Sequence, residues 1–125
     1  MEEKPKIRIV VAEDDEENRT ILTKMLQMNG YEIQAAPDGA AAFELLKAAK
    51  PDLLISDINM PVMNGLELLR KVREDEELKS IRVILVTGQS TDEEVMSGIT
   101  EGADHYITKP FKPKSVLDAI KMVLE

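Results

Sequence analysis

Asp52-Leu53-Leu54-Ile55-Ser56-Asp57-Ile58-Asn59-Met60-Pro61-Val62-Met63-Asn64-Gly65 is the stretch whose reading decides the fold. It begins as an apolar run, Leu53 to Ile55, with Pro51 before it and Pro61 and Gly65 after it. Such a run reads as a strand buried on both faces, as in a parallel sheet. The strand ends at an acid, Asp57. In open α/β sheets, ligands bind outside the carboxyl ends of the strands. A carboxylate there can be a metal ligand, a nucleophile or a general base. It can equally cap a loop or the next helix, a common use of Asp. This stretch alone does not choose among these uses.

Working outward, the same pattern recurs. Ile7 to Ala12 is a second buried strand and runs into Glu13-Asp14-Asp15-Glu16-Glu17. Part of that acidic cluster opposes the macrodipole of the helix that follows. The apolar spacing over Asn18 to Met28 predicts that helix, stopped by Asn29-Gly30. Tyr31 to Ala36 is a weaker strand, Pro37-Asp38-Gly39 a turn, and Ala40 to Lys50 a helix. After the central strand, Leu66 to Arg73 is a helix, and Glu74-Asp75-Glu76-Glu77 reads as its solvated end and the loop beyond. Ile81 to Thr87 is the fourth strand, ending at a hydroxyl and Gly88. A helix over Asp92 to Gly102 has few apolar anchors (Val95, Met96, Ile99) and an internal Gly98, so it is expected to be weak. Asp104 to Thr108 is a short fifth strand ending at Lys109-Pro110-Phe111. Lys112 to Leu124 is the last helix, with Pro113 in its first turn. Five β-α alternations call for a single α/β domain over residues 1–125, with helices on both faces of a parallel sheet.

Composition bounds the function. The chain has 125 residues, 43% of them hydrophobic and 32% charged, which suits one globular domain. It has no Cys, which removes thiolate metal sites and Cys nucleophiles. A net charge of −8 makes nucleic acid or an anionic membrane a poor direct partner. No apolar run matches a transmembrane helix, and no apolar core of a signal peptide follows the N-terminus, so the expected location is cytoplasmic.

Four expected strands end in chemically useful groups: Glu13 and Asp14, then Asp57, Thr87 and Lys109. A parallel sheet puts these ends on one edge. Converging carboxylates repel one another unless a cation joins them. All-oxygen ligation favours a hard ion, Mg²⁺ before Ca²⁺ or Mn²⁺. A lysine and a hydroxyl nearby are donors for a phosphate. These are the parts phosphoryl transfer to a carboxylate needs.

At this point the sequence resembles the CheY-like receiver domains of bacterial two-component response regulators. The resemblance runs from Ile7 to about Leu124. It is carried by Val10-Val11-Ala12-Glu13-Asp14, the Asp57 to Gly65 stretch, Val86-Thr87-Gly88, Gly102-Ala103-Asp104 and Lys109-Pro110-Phe111, in that order. It implies a doubly wound (βα)5, flavodoxin-like fold with strand order 2-1-3-4-5. It implies Asp57 as phospho-acceptor, and Mg²⁺ held by Glu13, Asp14, Asp57 and the backbone carbonyl of Asn59. Asp15 competes for a place in the acidic pair but would shift the register of the first strand and helix. The resemblance further implies Lys109 as the phosphoryl contact, with a cis bond to Pro110, and Thr87 and Tyr106 as a switch pair. Asn59 and Gln89 would set the phosphoryl lifetime. Gly88 stands where the family more often has Ala, which leaves that loop more permissive.

The implied function is a switch that takes a phosphoryl group from a histidine kinase or a histidine phosphotransfer domain. It would then alter the surface of the fourth helix, fifth strand and fifth helix, which includes Glu94, Val95, Ser97, Tyr106, Lys112 and Lys114. The protein would be no enzyme beyond its own phosphorylation and dephosphorylation. It would be a monomer, with dimerisation on phosphorylation as an open alternative. Two other readings compete. A small-molecule phosphatase would want a second acid where Asn59 stands. A phosphorylation-independent interaction module would have no use for the acid set. His105, the sole histidine, reads as a surface strand residue, so the donor histidine belongs to another protein.

Overall fold

A computed structural model describes residues 6–88 and 102–124 of the chain. Gln89, most of the helix expected over 92–102, and Glu94, Val95 and Ser97 on it lie outside the described residues. The elements, in order, are β1 (Arg8–Ala12), α1 (Glu16–Met28), β2 (Glu32–Ala36), α2 (Gly39–Ala49), β3 (Leu53–Asp57), α3 (Gly65–Glu74), β4 (Arg82–Thr87), β5 (His105–Thr108) and α4 (Pro113–Leu124). Most boundaries fall within a residue of those expected. The first helix starts two residues earlier, because Asp15 caps it by accepting the Asn18 N–H. That use of Asp15 removes it from the acidic pair. Asn64 and Glu67 form a reciprocal capping box at the start of α3.

The five strands form one sheet in the order β2-β1-β3-β4-β5, every pairing parallel. This is the flavodoxin-like order expected. From β1 the chain crosses to one side of the sheet and from β3 to the other, which opens a crevice at their carboxyl ends. The register aligns those ends. Ala12 lies opposite Ala36 and Ser56, Asp57 opposite Val86, and Thr87 opposite Thr108.

Side-chain alternation then sorts the core into two layers. On one face, Ile9, Val11, Leu53, Ile55, Ile84, Val86 and Ile107 pack under Leu22 and Leu26 of α1 and Val116, Ala119 and Ile120 of α4. On the other, Val10, Ala12, Leu54, Val83 and Leu85 pack under Ala42 and Leu46 of α2 and Leu68, Leu69 and Val72 of α3. Continued past the strand ends, the same alternation puts Glu13, Asp57 and Lys109 in line with the first face. Thr87 is in line with the second, the face against which Tyr106 packs.

The acidic tract after α3 is largely solvated, as expected, with one addition. Asp75 accepts from Lys47 at 2.8 Å, and Glu77 pairs with Lys50 at 2.6 Å. Two of its acids thus also pair with the end of α2 and its capping residue, and Leu78 just beyond the tract is fully buried. Asp104 lies before β5, not in it. No described helix is long and apolar enough to cross a membrane.

Candidate functional site

Glu13 and Asp57 are buried, at 5% and 8% exposure, where the sheet brings the ends of β1 and β3 side by side. Two buried carboxylates at one edge need compensation. Part of it comes from Lys109, whose Nζ donates to Glu13 Oε1 at 2.8 Å and to Asp57 Oδ2 at 3.2 Å. Asp14 joins them on the exposed side of the crevice. One carboxylate oxygen from each of Glu13, Asp14 and Asp57 lies within 4.8 Å of the other two. Three carboxylates against one ammonium leave two negative charges. That surplus, held by oxygen donors alone, suits a hard divalent cation.

The titration of the site follows from this crowding. Asp14 is pushed above the usual carboxylate range, by partial loss of solvent first, then by its hydrogen bond with Glu13 and the charge of Glu13. Burial alone would lower Lys109. The hydrogen bond to Glu13 and the charges of Asp57 and Glu13 outweigh it and hold the ammonium above its ordinary value. Lys109 therefore stays cationic at neutral pH.

Two features of this edge were not anticipated. Arg19, one turn into α1, donates Nη1 to the carbonyls of Glu13 at 2.9 Å and Asp14 at 3.4 Å. It fixes the backbone that carries both acids. In the sequence, the only sign was a cation on the first turn of a helix that begins with acids. Gly65 is the second. A Cβ there would collide with the Asp57 carbonyl oxygen and come within 2.9 Å of the Ile58 Cα. The N-terminus of α3 thus rests directly on the backbone at the end of β3, and the Gly65 N–H donates to the Ile58 carbonyl at 2.8 Å. Sequence reading took this glycine as a boundary and as the end of the Asp57 to Gly65 stretch, without a packing role.

The remaining candidates sit nearby in different ways. Asn59 is exposed, two residues beyond Asp57. Thr87 is fully buried at the end of β4, and its carbonyl accepts the Lys109 N–H at 2.6 Å. Tyr106 is half-buried on the face that Thr87 shares. The Lys109–Pro110 peptide is cis, as expected. A groove of about 530 Å³ borders the site, lined by Ile21, Leu22, Met25 and Phe111 beside Glu13 and Lys109.

Comparison with known proteins agrees with this geometry. The family description "response regulator receiver domain" matches residues 9–121. The chain is 38% identical over 120 residues to chemotaxis protein CheY1 of Helicobacter pylori, covering 94% of this chain and 97% of that one. It is 33% identical over 118 residues to response regulator MprA of Mycobacterium ulcerans, of which it spans 50%. The solved structure of Vibrio cholerae chemotaxis protein CheY4 superposes with a TM-score of 0.92 at 32% identity, covering 96% of this chain and all of that one.

Proposed function

The chain belongs to the response regulator receiver domain family, and from that premise we propose that it accepts a phosphoryl group on Asp57. The donor is a phosphohistidine on a histidine kinase or a histidine phosphotransfer domain. The observation that carries this reading is the Lys109 ammonium bridging Glu13 and Asp57, with Asp14 in the same carboxylate cluster.

The chemistry is a transfer between two side chains. An Asp57 carboxylate oxygen attacks phosphorus, the donor's phosphorus–nitrogen bond breaks, and its electron pair returns to the donor imidazole. Asp57 is left as an acyl phosphate. Glu13, Asp14, Asp57 and the Asn59 carbonyl would hold Mg²⁺, which when bound supplies positive charge to the transferring phosphoryl oxygens. Lys109 meets the phosphoryl group as a point charge. Its hold on Asp57 keeps the acceptor oriented beforehand. The groove beside Lys109 offers the donor protein an apolar surface next to the acceptor.

The new dianion is then read by the second face of the sheet. Thr87 turns its hydroxyl toward the phosphoryl group, and Tyr106 moves into the space released. The charge event thereby alters the surface of β5 and α4, with Tyr106, Lys112 and Lys114 on it. Asn59 and Gln89 tune how long the acyl phosphate survives hydrolysis. The protein works as a cytoplasmic switch whose catalysis is confined to its own phosphoryl group.

Incubation with acetyl phosphate and MgCl₂, followed by intact-mass and peptide mass spectrometry, tests this. The expected result is the mass of one phosphoryl group on the Asp57 peptide, lost with a chelator and absent in Asp57→Asn. No adduct, or an equal adduct in Asp57→Asn, rules the reading out.

A further inference from the structure

At the sheet edge opposite the acids, one side chain ties separate segments together. Arg73, in the last turn of α3, donates Nε and Nη2 to the Gly102 carbonyl at 3.0 and 2.8 Å. Its Nη1 donates to the carbonyls of Lys79 at 3.0 Å and Ile81 at 2.6 Å. Nη2 also reaches Asp104 Oδ2 at 2.9 Å. Asp104 in turn accepts the Val83 N–H at 2.8 Å and pairs with Arg82 at 3.4 Å. Gly102 has φ +101°, and a Cβ on it would come within 3.1 Å of the Arg73 Nε. The guanidinium therefore packs where the chain turns toward β5 in a conformation that favours glycine. The end of α3, the entry to β4 and the entry to β5 meet at this one group.

What Arg73 holds is the entry to a short strand. β5 is four residues long and, among the described strands, pairs with β4 alone. A slip of one residue would turn every side chain of this strand to the other face. At its entry Asp104 bonds Val83 through both its N–H and its carboxylate, at 2.8 Å each, and Arg73 in turn holds that carboxylate. Lys109 leaves the far end of this strand, roughly 16 Å from Asp104 at the usual rise per residue. Its reach to Glu13 and Asp57 thus depends on a register set at the strand's entry.

We propose that Arg73 is a positioning residue for Lys109: by clamping the entry to β5, it holds the strand in the register that delivers the Lys109 ammonium to Asp57. The proposal rests on the reading above of Lys109 as the phosphoryl contact. It adds that the contact is assembled from the opposite edge of the sheet.

Two variants of the full chain test it, Arg73→Gln and Arg73→Lys. Lysine keeps the charge but cannot reproduce the planar fork. The first measurement does not involve phosphorylation. Amine labelling with acetic anhydride, without divalent metal, is read by peptide mass spectrometry for Lys109 against the exposed Lys121. Lys109 is expected to label faster in both variants, more so in Arg73→Gln, with Lys121 unchanged. The second measurement is the rate of phosphorylation by acetyl phosphate at saturating Mg²⁺, with Mg²⁺ affinity measured alongside. The rate is expected to fall on the order of tenfold in Arg73→Gln and less in Arg73→Lys. Mg²⁺ affinity should hold, because Glu13, Asp14 and Asp57 stand on segments Arg73 does not touch. Variants with native circular dichroism and unchanged Lys109 labelling overturn the proposal. So does a loss of Mg²⁺ affinity matching the loss of rate, which would mean general loosening. Should Arg73→Gln not fold, Arg73→Lys decides by the same criteria. If the wild-type chain accepts no phosphoryl group, the functional reading fails, and the labelling result still decides whether Arg73 positions Lys109.

Discussion

The two edges of the sheet handle charge in opposite ways. At the amino-terminal edge, Arg73 and Arg82 share the one carboxylate of Asp104 and leave a single positive charge over, while the Val83 N–H and three backbone carbonyls take up their hydrogen bonds. At the carboxyl-terminal edge, Glu13, Asp14 and Asp57 share one lysine and remain two charges short of balance. The first arrangement is closed by hydrogen bonds to the backbone and serves the fold. The second is incomplete and has the oxygen donors to hold a cation. A polar cluster that closes on itself fixes geometry, whereas one that does not is a binding site.

Changes at the two edges should therefore differ both in size and in their response to metal. The largest loss is expected for Gly65→Ala, which forces a methyl group against the Asp57 carbonyl: roughly 3 kcal/mol by urea unfolding, with Mg²⁺ binding weakened as well. Asp104→Ala should follow. It leaves the Val83 N–H and the ends of two guanidinium groups short of partners, for about 2 kcal/mol of stability. Added Mg²⁺ should not change that difference, because the charges concerned are at the wrong edge.

Lys109→Met should cost about 1–2 kcal/mol without divalent metal, since Glu13 and Asp57 lose their shared donor. Here Mg²⁺ should recover most of the loss, and a deficit that ignores Mg²⁺ would erase the contrast between the edges. The pH dependence has a definite sign. Lys109 titrates higher in the folded chain than its ordinary 10.5, so its contribution is complete below 10.5 and disappears as pH rises through the folded value. The smallest effect, opposite in sign, belongs to Asp14→Asn. Asp14 titrates above 3.8 in the folded chain, so its ionised form opposes folding at neutral pH and the opposition fades on acidification. Removing that charge should raise stability at pH 7 by less than about 1 kcal/mol, as befits a largely solvated group. The gain should start to fade as the pH falls through the folded value of Asp14 and be gone only below 3.8.

Much of this could be read from the sequence because it is local. Apolar runs ending in acids mark parallel strands whose ends carry chemistry, and Glu13, Asp57 and Lys109 needed only the sheet order to meet. What could not be read is long-range and polar. Leu78 is fully buried although it stands in a charged tract, where Asp75 and Glu77 pair with Lys47 of α2 and with Lys50 just past its end. Arg73 looks like any cation in the last turn of a helix, and its role exists only once Gly102 and Asp104 return to it, 29 and 31 residues later. Arg19 was missed for a related reason: its partners are carbonyls, which every residue has. Periodicity reports which side chains leave water, not which backbone groups a guanidinium will find.

The most direct test is a calorimetric titration of the chain with MgCl₂ at neutral pH. If the carboxyl-terminal edge is an incomplete charge cluster, one ion should bind per chain, and Asp57→Asn and Asp14→Asn should each weaken it severely while Asp104→Ala leaves it intact. No saturable heat from the wild-type chain, or an affinity indifferent to Asp57, would contradict the account.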